Sequence, residues 1–119
     1  MLAALAAAAL FQTGEIAPGN LTYSEVYACS TLARAGWESM YEGGTRPVTT
    51  GERAREAAFR RLEELAEAEK EPSRLRDGLE GAAIEGAEAA ARDILAEVRP
   101  DQRRYAREQC AQIFGVTLG

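Results

Sequence analysis

The chain has no histidine at any of its 119 positions. That one absence removes histidine-based triads, histidine metal ligands and the usual near-neutral general base. Lysine is almost missing as well: Lys70 stands alone, so arginine carries nearly all of the 14 positive charges. Two cysteines, Cys29 and Cys110, are too few for a structural zinc site. They form no Cys-x-x-Cys pair that would lower a thiol pKa. Aromatic residues number only eight, with a single tryptophan, and much of the 46% hydrophobic content is alanine. Alanine forms helix well but buries little area, so a thin core is expected. Strand-type alternation of useful length and internal repeats are both lacking.

Charge and length narrow the field further. Acidic residues outnumber basic ones 19 to 14, and the net charge of −5 disfavours general attraction to nucleic acid or anionic membrane. A chain of 119 residues builds one core, here expected over residues 21–119. The arginine and alanine bias is that of proteins encoded by GC-rich bacterial genomes.

Residues 1–17 are of a different kind. Met1 to Phe11 reads MLAALAAAALF, an uncharged apolar run too short to span a bilayer but of signal-peptide length. No Lys or Arg precedes it and no clean small-x-small cleavage site follows. An upstream start codon would account for the missing basic residues. The segment is read as a signal peptide, and the competing reading is an apolar N-terminal helix docked on the bundle.

Four helical stretches follow. The first begins near Thr22 or Ser24 and runs to about residue 42, with Tyr23, Val26, Tyr27, Ala33, Trp37, Met40 and Tyr41 on one arc. Gly43-Gly44 ends it. Thr49 and Glu52 have capping-box spacing and open the second, whose inward stripe is Ala54, Ala58, Leu62 and Leu65, widened by Phe59 and Ala66. Pro72 is expected to end this helix, with Ser73 capping a third over residues 74–98. The third carries Leu75, Leu79, Ala82, Ala83, Gly86, Ala90, Ile94 and Val98 inward. Gly78, Gly81 and Gly86 then fall inside that helix and suggest a close helix approach or a bend. Pro100-Asp101 opens the fourth, which ends at Gly115, with Ala106, Cys110, Ile113 and Phe114 on its apolar side. The expected fold is all-α, a small up-down four-helix bundle; three helices with a tail is the competing arrangement.

Cys29 lies at the edge of the first helix's apolar arc and Cys110 within that of the last. A disulfide joining first and last helices is the leading interpretation, and two buried free thiols the other.

Motifs that would carry chemistry fail on context. Gly43-Gly44 precedes no Lys-Ser/Thr pair, and Gly78, Gly81 and Gly86 follow no strand, so neither is a nucleotide loop. Glu63, Glu64, Glu67, Glu69 and Glu71 read as a solvated charged face. Arg99, Arg103, Arg104 and Arg107 gather at the start of the last helix, where Arg103 and Arg107 border the core and could meet a small anion or an acidic partner. Trp37, Met40 and Tyr41 form the densest aromatic group: core if buried, a contact patch if exposed.

No catalytic, metal or cofactor site emerges. The sequence supports a small exported helical protein, periplasmic or secreted, acting as a non-enzymatic envelope interaction protein: an inhibitor, accessory subunit or chaperone-like factor. Its partner would be a protein rather than nucleic acid, with no membrane span once the signal is removed. The alternative is a carrier whose bundle holds a small apolar ligand between Tyr23, Tyr27, Trp37 and Phe114. An enzyme built on Arg and Glu alone has no positive signal.

Overall fold

Two Thr-x-x-Glu pairs start the first two helices by settling backbone N–H groups that no helical carbonyl can reach. In the computed structural model, which describes residues 17–118, Thr22 accepts from the Glu25 amide at 3.2 Å while the Glu25 carboxylate accepts from the Thr22 amide at 2.7 Å. This opens α1 (Tyr23–Glu38). The chain then tightens into a 3-10 segment, Ser39–Gly44, broken at Glu42 and at Gly43, whose φ is 65°. Thr49 and Glu52 repeat the capping box and open α2 (Thr50–Asp77). α3 (Ala82–Glu97) and α4 (Pro100–Phe114) complete the set, Pro100 serving where a helix needs no N–H. The apolar run of residues 1–16, on which the export reading rests, lies outside the described residues.

Pro72 does not end a helix. α2 runs through it for 28 residues, about 42 Å at 1.5 Å per residue, and spans the 43 Å long axis of the molecule. An interior proline costs about 3 kcal/mol, so the turns beyond it must be held from outside. They are. Ser73 is fully buried and its hydroxyl donates to the Lys70 carbonyl at 2.9 Å instead of capping a new helix. Asp77 accepts from the Tyr23 amide at 2.8 Å, and Arg76 donates to the Leu21 carbonyl at 2.9 Å and pairs with Glu69 at 3.0 Å. The end of α2 is clasped to the start of α1.

The true stop is Gly78, at φ 67°. Its amide donates to the Leu75 carbonyl at 3.2 Å and the Leu79 amide to the Arg74 carbonyl at 3.1 Å, the two bonds of a Schellman motif. Gly81, at φ 55°, turns the chain into α3. Gly78 and Gly81 therefore serve a turn, not a helix interior. Gly115 closes α4 with the same pair of bonds.

The restart at Ala82 also rotates the stripe expected for the third helix. Ala82, Ala83, Gly86 and Ala90 are exposed, while Ala91 and Val98 are buried and Ile84, Ala87, Glu88 and Leu95 half-buried. In α2 the buried line is Phe59, Leu62, Ala66 and Ser73, and Ala54 is exposed.

Cross-helix bonds fix the directions. Asp77, Glu67, Glu63 and Glu56 of α2 meet Tyr23, Ser30, Trp37 and Tyr41 in reverse order, so α1 and α2 are antiparallel. α3 lies parallel to α1, with Glu88 on Tyr23, the Ala87 carbonyl on Ser24 and Arg92 on Tyr27. α4 returns antiparallel, with Cys110 on Cys29 and Arg107 on Leu32. The bundle is up-down-up-down, with α1 packed against all three others.

Its central cluster is Cys29, Leu32, Ala33, Leu62, Ala66, Ala106, Cys110 and Ala111. The disulfide joins the first and last helices across 81 residues, with Cα atoms 5.6 Å apart and both cysteines fully buried. In the chain-entropy description a loop of that length contributes about 4–5 kcal/mol. The close helix approach lies at Gly36, not at the three glycines expected: a Cβ there would stand 2.9 Å from Phe59 Cδ1 and 3.0 Å from Arg107 Nε, whereas one on Gly86 would meet nothing.

Two outcomes follow for stability. Replacing both cysteines by alanine should cost about 4–5 kcal/mol in denaturant titration, and reductant should then have no further effect. Gly36→Ala should destabilise by about 1–2 kcal/mol through overpacking, while Gly86→Ala should stabilise by up to about 1 kcal/mol through helix propensity.

Candidate functional site

Aromatic side chains that a thin core could use are placed outside it. Trp37, at the C-terminal end of α1, and Met40, in the 3-10 segment after it, are half-buried, and Tyr41 of that segment is 42% exposed. The Trp37 ring meets Tyr41 edge-on, with centroids 6.4 Å apart and planes at 87°. Its indole N–H donates to Glu63 at 2.8 Å, the Arg60 guanidinium lies 3.8 Å from its centroid, and that of Arg34 lies at 5.9 Å. Both cations favour the ring face electrostatically. Glu56 accepts from the Tyr41 hydroxyl at 2.6 Å and from Arg60 Nε at 2.9 Å. The Tyr41 bond, helped by Arg60, holds the Glu56 carboxyl below its ordinary range. The patch is a polar-braced aromatic surface, and α2 supplies the bracing.

Arg34, Glu56, Arg60 and Glu63 were not legible as members of this site. The i,i+4 spacing of Glu56 and Arg60 signals a pair on one helix. Which α1 residue they reach depends on the register of α1 against α2, and that requires α2 to continue past Pro72.

The acidic run of α2 is only partly a solvated face. Glu64 is exposed and pairs with Arg61 at 3.5 Å, and Glu71 pairs with Arg74. Glu63 and Glu67, in contrast, tie α2 to α1, Glu67 accepting from the Ser30 hydroxyl and pairing with Lys70. Among the described residues, no group of three or more histidine, cysteine, aspartate and glutamate side chains could hold a metal ion.

Tyr23, Tyr27 and Phe114 have different neighbours from Trp37. Tyr23 is buried with its hydroxyl on Glu88 at 2.6 Å; burial and that bond push its phenol well above the ordinary range. Tyr27 accepts from Arg92 at 2.8 Å, with the Lys70 ammonium 5.0 Å from its ring. Phe114 packs against the central cluster. An open groove of about 340 Å³ lies elsewhere, between Arg55 of α2, Glu108, Ala111 and Gln112 of α4, and the segment Val116, Thr117 and Leu118.

Arg103 and Arg107 lie one turn apart at the edge of the core. Both are half-buried, and Arg104 beside them is exposed. Arg107 Nε donates to the Leu32 carbonyl at 2.6 Å, and its guanidinium lies 5.7 Å from the centre of the buried Phe59 ring. The Arg55 guanidinium sits 5.0 Å from the same centre. Burial, then the charges of Arg55, Arg103 and Arg104, push the Arg107 pKa down. Arg99, in contrast, pairs with Asp101 at 3.4 Å and stands apart. The spacing along α4 placed Arg103 and Arg107 together; Arg55 joins them only through the fold.

Glu67 yields a pH test. Burial works to raise its pKa, but the hydrogen bonds of Lys70 and Ser30 and the charges of Lys70 and Arg34 outweigh it and hold the carboxyl below its ordinary 4.5. A depressed folded-state pKa gives stability that is complete above the unfolded value and lost as pH falls through the folded one. The stability difference between the native chain and Glu67→Gln should therefore be constant above about pH 5 and change as pH falls below about 4.5. Denaturant midpoints across that range would show it, and a parallel pair of curves would contradict it.

Comparison with protein-family models, with curated proteins and with solved structures yields no match.

Proposed function

We propose that this is a non-enzymatic interaction protein of an oxidising compartment, periplasmic or secreted, of the inhibitor, accessory-subunit or chaperone-like kind. The reading rests chiefly on where the aromatic residues go. The chain has one tryptophan and a central cluster half made of alanine, yet Trp37 is half-buried beside the exposed Tyr41 rather than in that cluster. Protein contact surfaces concentrate tryptophan, tyrosine and arginine, and Trp37, Tyr41, Arg34 and Arg60 supply all three. The bond to Glu63 and the stacked Arg60 hold the indole in one orientation, which lowers the entropy lost on binding. A buried disulfide suits an oxidising compartment, and the apolar run at residues 1–11 suits export to it.

The test is co-purification from the native envelope fraction with tagged native chain, Trp37→Ala and Tyr41→Ala. A partner retained by the native chain and lost by at least tenfold with Trp37→Ala is expected, with the variant's helical circular dichroism unchanged. Equal retention by all three, or nothing retained at low salt, would overturn the reading. N-terminal sequencing of the secreted protein addresses the compartment: an intact Met1 in the cytosolic fraction would sink export.

A further inference from the structure

On the α4 side of the bundle, four arginines gather without acidic partners. Among the described residues, ion pairs engage Arg34, Arg60, Arg61, Lys70, Arg74, Arg76 and Arg99; seven arginines form none, namely Arg46, Arg53, Arg92 and the four that come together, Arg55, Arg103, Arg104 and Arg107. Glu108, next along α4 from Arg107, is the carboxylate beside them, and it forms an ion pair with none of the four. Instead Arg55 and Arg107 share the Phe59 ring, and Arg103 and Arg104 follow one turn earlier on α4. Like charges brought this close repel, and an external anion relieves that repulsion.

Arg107 is set to receive one. Its Nε is committed to the Leu32 carbonyl, and the guanidinium lies 5.7 Å from the centre of the buried Phe59 ring. The two terminal nitrogens accept no such commitment among the described residues, and neither is sealed from solvent. Their end-on edge matches the two oxygens of a carboxylate. Fixing the fork in advance removes most of the side-chain entropy that an exposed arginine would lose.

We propose that Arg55, Arg103, Arg104 and Arg107 form a binding site for an acidic peptide segment of a protein partner, distinct from the Trp37 surface. The adjoining groove decides between a peptide and a compact polyanion. Arg55, Ala111, Gln112, Val116 and Leu118 line it, with Arg55 Nη1 donating to the Leu118 carbonyl at 2.9 Å, so apolar wall, a side-chain amide and the cation of Arg55 are offered together. An extended chain with a carboxylate at the arginines can lay an apolar side chain along that wall. Glu108 also lines the groove and repels a multiply charged phosphate. The net charge of −5 likewise opposes nucleic acid and anionic lipid at longer range while leaving a local ion match intact.

The test uses the oxidised full chain and a short fluorescein-labelled peptide of alternating glutamate, glycine and leucine, read by fluorescence anisotropy at low salt. Inorganic phosphate and phosphatidylglycerol vesicles are the other arms, with a glutamine-for-glutamate peptide as control. Saturable binding of the glutamate peptide is expected, weakened about tenfold or more in Arg107→Gln and in the surface double variant Arg103→Gln/Arg104→Gln. Arg61→Gln, paired with Glu64 on α2, should bind as the native chain does. The double variant keeps the test decisive if Arg107→Gln perturbs packing on Phe59. Equal affinity for the glutamine peptide, tighter binding of phosphate or vesicles, or no loss in the double variant would overturn the proposal. None of these outcomes bears on the Trp37 surface, whose own test is separate.

Discussion

A helix packed through alanine brings its partner close but removes little apolar surface from water. Four of the eight residues in the central cluster are alanine, and only Leu32 and Leu62 contribute a large aliphatic side chain. Full burial of a leucine is worth about 1.5–3 kcal/mol, and an alanine methyl less than half of that. The Cys29–Cys110 bond contributes about 4–5 kcal/mol at the centre of this cluster, comparable to both leucines together. Everything else is arranged around that link. It holds α4 against the middle of α1, a helix packed against all three others. The fold of this small domain is a hub helix with one covalent spoke.

Where apolar burial is scarce, polar bonds set the geometry. α1 and the 3-10 segment after it are joined to α2 along their length by Asp77 on Tyr23, Glu67 on Ser30, Glu63 on Trp37 and Glu56 on Tyr41. Hydrogen bonds are directional and each contributes about 1 kcal/mol net, so such a series specifies register more than it adds stability. The register in turn decides which surface the indole presents. A one-turn slip of α2 would separate Glu63 from Trp37 and Glu56 from Tyr41 together, leaving the aromatic patch without its brace. Stability and surface chemistry thus depend on the same bonds.

Local signals and long-range ones differ in how far the sequence alone reveals them. The Thr49 capping box, the Pro100 start, the Gly115 stop and the pairing of Cys29 with Cys110 are visible because each needs only neighbours within a turn or two, or a single partner of the same kind. Pro72 misleads because its local cost is real. What overrides it, the clasp of Asp77 and Arg76 on Tyr23 and Leu21, lies more than fifty residues away in sequence. The same misplacement carries Gly78 and Gly81 into a helix interior and turns the stripe of α3 away from its true face. Trp37 is a subtler case. Periodicity puts it on the arc of Val26 and Ala33, but an arc wide enough for two neighbours need not be covered at its end, and α2 covers that end with charged side chains rather than apolar ones. Arg55 meets Phe59 one turn along its own helix, but its bond to the Leu118 carbonyl and its place beside Arg107 carry no local signal.

The two surfaces stand in different relations to the disulfide. The Trp37 patch is built from α1 and α2, which are braced by four hydrogen bonds and share the largest contact in the molecule. The arginine surface is built from α4 and α2, and α4 is tied down by Cys110 and by Arg107 on Leu32, within less than one turn of each other. Beyond that short stretch, α4 meets the cluster through the small residues Ala106 and Ala111 and, at its far end, through the half-buried Ile113 and Phe114. The covalent bond therefore does more for the arginine surface than for the aromatic one. It fixes the backbone three residues from Arg107 and so fixes where the guanidinium can lie against Phe59. Four mutually repelling cations would otherwise favour an arrangement that separates them, and α4 is the element free to move. A buried cystine thus holds in place a cluster of charges that the alanine contacts alone are poorly suited to restrain.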